Sequence, residues 1–390
     1  MPASLPRRHA LRLFGGAAAL GMTSVVGRNA AHADGSPART APVTGLRSSV
    51  QGVVTGPLRV GAWAAAPVPA ESGRPLLGFV DTTLRLVVRA SVGGTSPRIR
   101  LSNRFGTSPL VVESVSIGVR QHGAQAVPGS LARVRFGGSA RAVVPPGGDL
   151  LSDPVATPRP IAARDVLLVS LYLPGPTGAA TWHPRSQDAT WSASGDCTRL
   201  ASGRRFSVRE NGWYYLSGLD LVSGSATGTV VCFGDSITDG PATAARRTTV
   251  RWPDLLAERI AVERPRAPYG VVDLGIAGNR LLQSSPRGGV AALDRFDQDA
   301  LGQPGATDLI LLEGINDIGF GKDADGLPIT AEQLITAQRT LIGRARRSGL
   351  RVHGCTLLPF EGAKFFTPTG EQVRQQFNAW VRNGGAFDSV

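Results

Sequence analysis

The heptapeptide Gly234-Asp235-Ser236-Ile237-Thr238-Asp239-Gly240 sets a serine hydroxyl among carboxyl groups and glycines, directly after the apolar run Val230–Phe233. A serine just past a strand end can present its hydroxyl at a sheet edge, and its backbone N–H can point at an oxyanion developing on an attacked carbonyl. The spacing is neither a Gly-x-Ser-x-Gly elbow nor a Gly-x-x-x-x-Gly-Lys phosphate loop. Taken alone, Gly-Asp-Ser also fits an ordinary strand-to-helix turn. Two further segments change that balance: Gly275-Ile276-Ala277-Gly278-Asn279 follows Val271–Leu274, and Glu313-Gly314-Ile315-Asn316-Asp317 closes Leu309–Glu313. If these runs are parallel strands, all three segments meet at one edge of the sheet.

The elements needed for that meeting are legible. After Thr229, short apolar runs (the three above and Arg351–Leu358) alternate with amphipathic stretches. One stretch carries Trp252, Leu255, Leu256 and Ile260 on a single face behind Pro253 as a first-turn residue. Another opens with the capping box Thr330-x-x-Gln333, buries Leu334, Ala337, Leu341 and Ala345, and stops at Gly349. A third carries Val373, Phe377 and Trp380 and ends at Gly384. Strands alternating with helices predict a parallel sheet covered on both faces, with its site at the carboxyl ends of the strands.

Between Leu58 and Thr229 the pattern is different. Thr83–Ser91, Arg98–Ser102, Val111–Val119, Arg133–Phe136, Val166–Leu173 and Trp213–Leu221 are short β-branched or alternating runs between Gly, Pro and Asn turns. They predict an antiparallel sandwich or jelly roll of ~170 residues, a normal size for one all-β domain. The expected organisation is a signal peptide at 1–33, a flexible leader at 34–56, an all-β domain at 57–228 and an α/β domain at 229–390.

Taken together, the three glycine-rich segments resemble the blocks of the SGNH family of serine ester hydrolases, also called GDSL hydrolases. The resemblance covers residues 229–390 and implies a flavodoxin-like, three-layer parallel fold. It also implies roles: Ser236 as nucleophile, the Gly278 amide and the Asn316 side chain as oxyanion donors, and Gly234, Asp235, Gly314 and Asp317 in support. Asp235 and Asp317 are tempting acids, but each reads better as ordering its own loop by accepting backbone N–H bonds. Within the β-rich part, Leu101-Ser102-Asn103-Arg104-Phe105-Gly106 and Ala180-Thr181-Trp182-His183 look like segments of exported two-domain SGNH proteins.

The family's fourth block, an Asp-x-x-His that supplies the general base and its orienting acid, has no counterpart in the chain. The last residues, Ala386 to Val390, read as the opening of a fifth strand, so the expectation is a hydrolase domain cut at that strand, with little activity of its own. The histidines are His9, His32, His122, His183 and His353. His353 lies in a strand-like run and reads as a sheet histidine. His183, beside Trp182, reads as a domain-interface or surface histidine that could lean over the site, and His122 has no chemical context.

Composition narrows the remaining classes. With 42 Lys+Arg against 29 Asp+Glu the net charge is +13, yet Lys322 and Lys364 are the only lysines and no basic run is interleaved with aromatics. That excludes a nucleic-acid groove. Hydrophobic residues at 42% and charged residues at 18% suit a globular chain rather than a disordered or multispan one. Arg7, Arg8 and Arg12 precede the apolar run Leu13–Val26, and Ala31-His32-Ala33 offers a small-x-small cleavage site, as in a twin-arginine export signal. The run of about 14 residues is short of the ~20 a spanning helix needs, so no stable membrane anchor is expected.

Cys197, Cys232 and Cys355 cannot all pair and show no zinc or haem spacing. No disulfide framework, cofactor or metal is expected. The reading is a secreted serine esterase for short acyl (acetyl) esters of carbohydrate, with a small-molecule or polysaccharide ester as partner and no long apolar lid. Alternatives are a lipase or short-chain carboxylesterase, or a catalytically impaired glycan-binding protein with a vestigial SGNH domain.

Overall fold

Leu167, Val169, Leu171 and Leu173 recur at the strand period of two, and in the computed structural model they face one core from the middle of an antiparallel sheet. The structure describes residues 56–208, 211–240 and 251–390. The expected signal peptide at 1–33, and the leader at 34–56 apart from Gly56, lie outside the described residues. Val166–Leu173 pairs on one side with Thr82–Arg89 and on the other with Ser114–His122. Trp191–Ser194, Ser207–Val208, Gln125–Ala126 and Ala132–Val134 complete this seven-stranded sheet. A second antiparallel sheet takes the order Leu58–Ala64, Leu216–Ser223, Thr95–Ser102 and Asp149–Leu151. Leu84, Leu86 and Ile117 of the first sheet share a core with Val60, Ile99 and Leu221 of the second. Each large aliphatic chain buried there contributes about 1.5–3 kcal/mol.

Several predicted strands break at identifiable points. Trp213–Leu221 divides at Tyr215, whose φ of 59° ends Gly212–Tyr214 before Leu216–Ser223 begins. Val111–Val119 divides at Glu113 into Leu110–Val112 and Ser114–His122. A small third sheet of Gly212–Tyr214, Thr181–Pro184 and Val68–Pro69 supplies a wall of the site described below.

The second half is the parallel sheet. Its order is Tyr269–Gly275, Gly228–Gly234, Ala306–Leu312 and Arg351–Gly354, with every pair parallel. In chain order that is 2-1-3-4, so the switch point lies beside the carboxyl end of Gly228–Gly234, where an open α/β sheet leaves its crevice. Alternate residues serve the two faces. Val231 and Phe233 pack with Phe296, Leu334, Leu341 and Phe377, whereas Val230 and Cys232 pack with Trp252, Leu256 and Ile260. The capping box at Thr330 is present: Gln333 N–H donates to Thr330 Oγ1, and Thr330 N–H donates to Gln333 Oε1.

Two expectations need correction here. Leu255 is half exposed, because the buried stripe of Trp252–Glu263 runs through 252, 256 and 260 and leaves 255 outside it. The run Arg351–Leu358 is strand only to Gly354, after which the chain leaves the sheet. Outside that strand, Ser389 forms a parallel bridge with His353, with Gly354 N–H donating to Ser389 O at 2.9 Å.

The two halves are joined as one compact unit, Thr55–Val390. Gly61 N–H donates to Thr229 Oγ1 at 2.9 Å and Pro304 O at 3.0 Å, and Val271 N–H donates to Ser91 Oγ at 2.9 Å. Ala64, Ala66 and Val68 enter the same hydrophobic cluster as Phe233, Leu274 and Ile276. No helix among the described residues is long and apolar enough to cross a membrane.

Candidate active site

Ser236 opens the short helix Ser236–Asp239 at the carboxyl end of Gly228–Gly234. Asp235 is its N-cap, with Oδ1 accepting from Ile237 N–H at 2.8 Å, so the turn that exposes the serine is held from within. Glycine is required just before it. A Cβ on Gly234 would lie 2.3 Å from Leu312 O and 2.4 Å from Thr238 Oγ1, closer than any real contact.

The second segment is ordered by residues distant in sequence. Gly278 has φ 78°, a conformation that glycine adopts without cost. Asn316, in the first turn of Ile315–Phe320, donates from Nδ2 to Asn279 O at 2.9 Å. Its neighbour Asp317 accepts the N–H groups of Leu281 and Leu282 at 2.7 and 2.9 Å, thereby ordering the loop after Asn279. Ser236, Gly278 and Asn316 line one cleft of about 490 Å³, whose opposite wall is Trp182, Pro184 and Arg185 of the β-rich half. Trp182 is braced there by stacking on Tyr214, with ring centroids 5.5 Å apart.

Behind the cleft lies Arg295, which the sequence reading missed. It is buried in Ala292–Phe296 and donates to Asn279 Oδ1, Leu274 O and Gly234 O at 2.9, 2.9 and 3.0 Å. One guanidinium thus ties the ends of two strands and the Gly278–Asn279 loop together. Its local sequence gave no such signal: flanked by Asp294 and with Asp299 four residues on, Arg295 reads as an ordinary solvated member of an ion pair.

The acids around the serine are shielded from water. Burial pushes Asp235 up to about 7 against its bond to Ile237 N–H. Burial likewise raises Asp317 to about 6 against the N–H bonds of Leu281 and Leu282. Glu313, with both carboxyl oxygens buried and unpartnered, is pushed well above the usual range by burial and by the nearby Asp235. These carboxyls are structural in geometry, and none of them lines the cleft among the described residues.

No histidine lines the cleft either, among the described residues. His353 is held between Asp308 Oδ1 at 2.9 Å and Ser389 Oγ at 2.7 Å, and His122 is exposed at the end of its strand. His183 is buried at the seam of the two halves, between Asp239 Oδ1 at 3.0 Å and Ala66 O at 2.7 Å. The described residues contain no group of three or more His, Cys, Asp or Glu side chains that could hold a metal ion.

The sequence model of the GDSL-like lipase/acylhydrolase family matches residues 232–390. No curated protein matches the chain. Among solved structures, a putative lipolytic protein of the G-D-S-L family from Desulfitobacterium hafniense DCB-2 is 19% identical, covering 42% of this chain and 76% of that one, with a TM-score of 0.30. An inhibitor-bound aryl esterase of M. smegmatis is 15% identical over 42% of this chain and 83% of its own, with a TM-score of 0.33. An acetylxylan esterase from Geobacillus stearothermophilus is 18% identical over 43% and 76%, also with a TM-score of 0.33. The family match begins inside the strand that delivers Ser236 and runs through Gly278 and Asn316, so residues 232–390 form a GDSL-like lipase/acylhydrolase domain.

Proposed function

We propose that the protein is an exported ester hydrolase that passes the acyl group of its substrate to Ser236 and acts on short acyl, chiefly acetyl, esters of carbohydrate. The observation that carries this reading is the meeting of Ser236, Gly278 and Asn316 in one cleft at the carboxyl ends of parallel strands. Ser236 Oγ attacks the ester carbon, and the carbonyl electrons move to oxygen. The oxyanion is received by the N–H groups of Ser236 and Gly278 and by Asn316 Nδ2. As the tetrahedral species collapses, the proton lost by Ser236 passes to the departing alkoxide, so the alcohol leaves neutral, and water then cleaves the acyl-serine to the acid and restores the Ser236 hydroxyl.

The alcohol side of the ester would face Trp182 and Arg185, an aromatic plate and a hydrogen-bonding cation that suit a sugar better than an acyl chain. Export is supported by the paired Arg7-Arg8, the apolar run and Ala31-His32-Ala33.

Among the described residues no histidine lines the cleft to receive the serine's proton. Removing the histidine of a serine protease costs about 10⁶ in kcat, while oxyanion donors and binding alone keep ~10³ over water. Slow turnover is therefore expected of this chain. The test is fluorophosphonate labelling of the full chain beside Ser236→Ala. Slow labelling that disappears in the variant supports the reading. Labelling that persists in Ser236→Ala moves the nucleophile elsewhere. An unlabelled chain that binds acetylated polysaccharide favours a glycan-binding protein with a vestigial site.

A further inference from the structure

The two β-rich segments singled out in the sequence, around Arg104 and His183, touch each other, since Phe105 N–H donates to Thr181 Oγ1 at 2.9 Å. Each also reaches into the hydrolase half. Arg104 pairs with Asp299, whose Oδ2 accepts from Arg295 at 3.1 Å, and Arg295 holds the ends of Gly234 and Leu274 and the side chain of Asn279. His183 pairs with Asp239, whose other oxygen accepts the N–H of Ala277 at 3.1 Å. Ala277 is the residue before Gly278.

The chemistry of the His183 contacts fixes its protonation. Nδ1 faces the carbonyl oxygen of Ala66, which can only accept, and Nε2 faces the Asp239 carboxylate, which accepts when ionised. With Asp239 ionised, both contacts are satisfied at once only if His183 carries both ring protons. An imidazolium cannot take the proton of Ser236. The surroundings agree: burial disfavours the charge, but Asp239, its hydrogen bond, the Ala66 carbonyl and Asp273 together hold the His183 pKa above its usual value. Beside this pair Arg251 bonds Asp254 and Asp273, and Trp213 packs against the His183 ring.

Resting on the ester-hydrolase reading above, we propose that His183 and Asp239 are positioning residues: an imidazolium–carboxylate strut by which the β-rich half aims the Ala277–Gly278 backbone into the oxyanion site. The strut makes the β-rich half part of the catalytic apparatus. Asp239→Asn keeps the shape, yet an amide cannot both accept from His183 and accept from Ala277.

The experiment uses the full chain with Asp239→Asn and His183→Gln. The Ala277 amide should exchange with solvent ~10-fold or more faster in both variants, with strand amides of the parallel sheet unchanged. For a short-chain nitrophenyl ester, kcat should fall by ~10- to 100-fold with KM within ~3-fold, because a misaimed oxyanion donor is felt in the transition state. Nitrogen-15 spectra of the unaltered chain should show protons on both ring nitrogens of His183 at pH 7.

A neutral imidazole, or unchanged Ala277 exchange in Asp239→Asn, overturns the proposal even if His183→Gln fails to fold. Should Ser236 resist fluorophosphonate, the ester-hydrolase reading falls, whereas Ala277 exchange still decides the strut. The sign of the pH effect is a further check. A raised histidine pKa stabilises fully below the unfolded value of ~6.5 and fades as pH climbs through the folded value. The melting-temperature gap between the unaltered chain and His183→Gln should therefore be widest near pH 6 and narrow at higher pH, and a gap independent of pH overturns the imidazolium.

Discussion

Asn316 uses one amide proton on the carbonyl of Asn279 and lines the cleft, so in the proposed mechanism its other proton is the oxyanion donor. Asn316→Ala should thus lower kcat by ~10²- to 10³-fold while KM changes much less, since the lost donor matters only once charge has developed. Steady-state kinetics on a short-chain ester would check this, and an unchanged kcat would remove Asn316 from the site. Asp235 makes a different prediction. Its folded pKa of about 7 lies above the unfolded carboxylate value, so its contribution to stability is present at low pH and is lost as pH rises through 7. Asp235→Asn retains the acceptor for Ile237 N–H and should raise the unfolding free energy at pH 8 by up to about 4 kcal/mol, at 1.36 kcal/mol per unit. The gain should shrink as pH falls below 7 and vanish only near the unfolded carboxylate value of ~3.9, and a gain undiminished at pH 4 would contradict a buried, protonated Asp235. At this scale the sequence exposed what lies within a motif, namely Ser236, Gly278 and Asn316. It concealed Arg295, Asp239 and the partners of His183, because their meaning arises only when segments more than 50 residues apart are brought into contact.

Elements were legible where the local rules act alone. Val166–Leu173 begins and ends where its alternation does, and the Thr330 capping box starts its helix. They were less legible where packing decides: Leu255 is apolar but lies off the stripe, and Tyr215 breaks a strand by adopting a positive φ that no composition signals. Helices too short for a period, such as Ile315–Phe320, were found only as loops after strands. Two substitutions separate structural from functional elements. Thr330→Ala removes a cap remote from the cleft and should cost about 0.5–2 kcal/mol in thermal unfolding, with fluorophosphonate reactivity unchanged. Gly234→Ala would drive a Cβ into Leu312 O and Thr238 Oγ1 and should cost both stability and Ser236 reactivity. Equal reactivity in the two proteins would mean that the turn before Ser236 does not aim it.

For the whole molecule the question is whether the β-rich and hydrolase halves fold separately. The contacts across the seam argue for one cooperative unit. Ala64, Ala66 and Val68 complete the core under Phe233, and Gly61 and Ser91 exchange hydrogen bonds with Thr229 and Val271 at the parallel sheet. The buried pair Arg104–Asp299 crosses the same seam. A fragment beginning at Gly224 would expose the apolar face that Leu58–Ala64 covers and leave Asp299 with Arg295 alone. Thermal unfolding of the whole chain should accordingly show a single transition by calorimetry, and the fragment should fail to give one. Arg104→Met tests the seam without cutting it. Breaking a buried pair costs about 3–5 kcal/mol, less here because Asp299 keeps Arg295, so a drop of ~2 kcal/mol or more is expected. Because Arg295 also holds Gly234 O and Asn279 Oδ1, the same substitution should slow the labelling of Ser236. A chain that loses Tm yet labels at the original rate would show that the Arg104 arm supports the fold without aiming the site, whereas two separate transitions in the unaltered chain would show that the halves are independent.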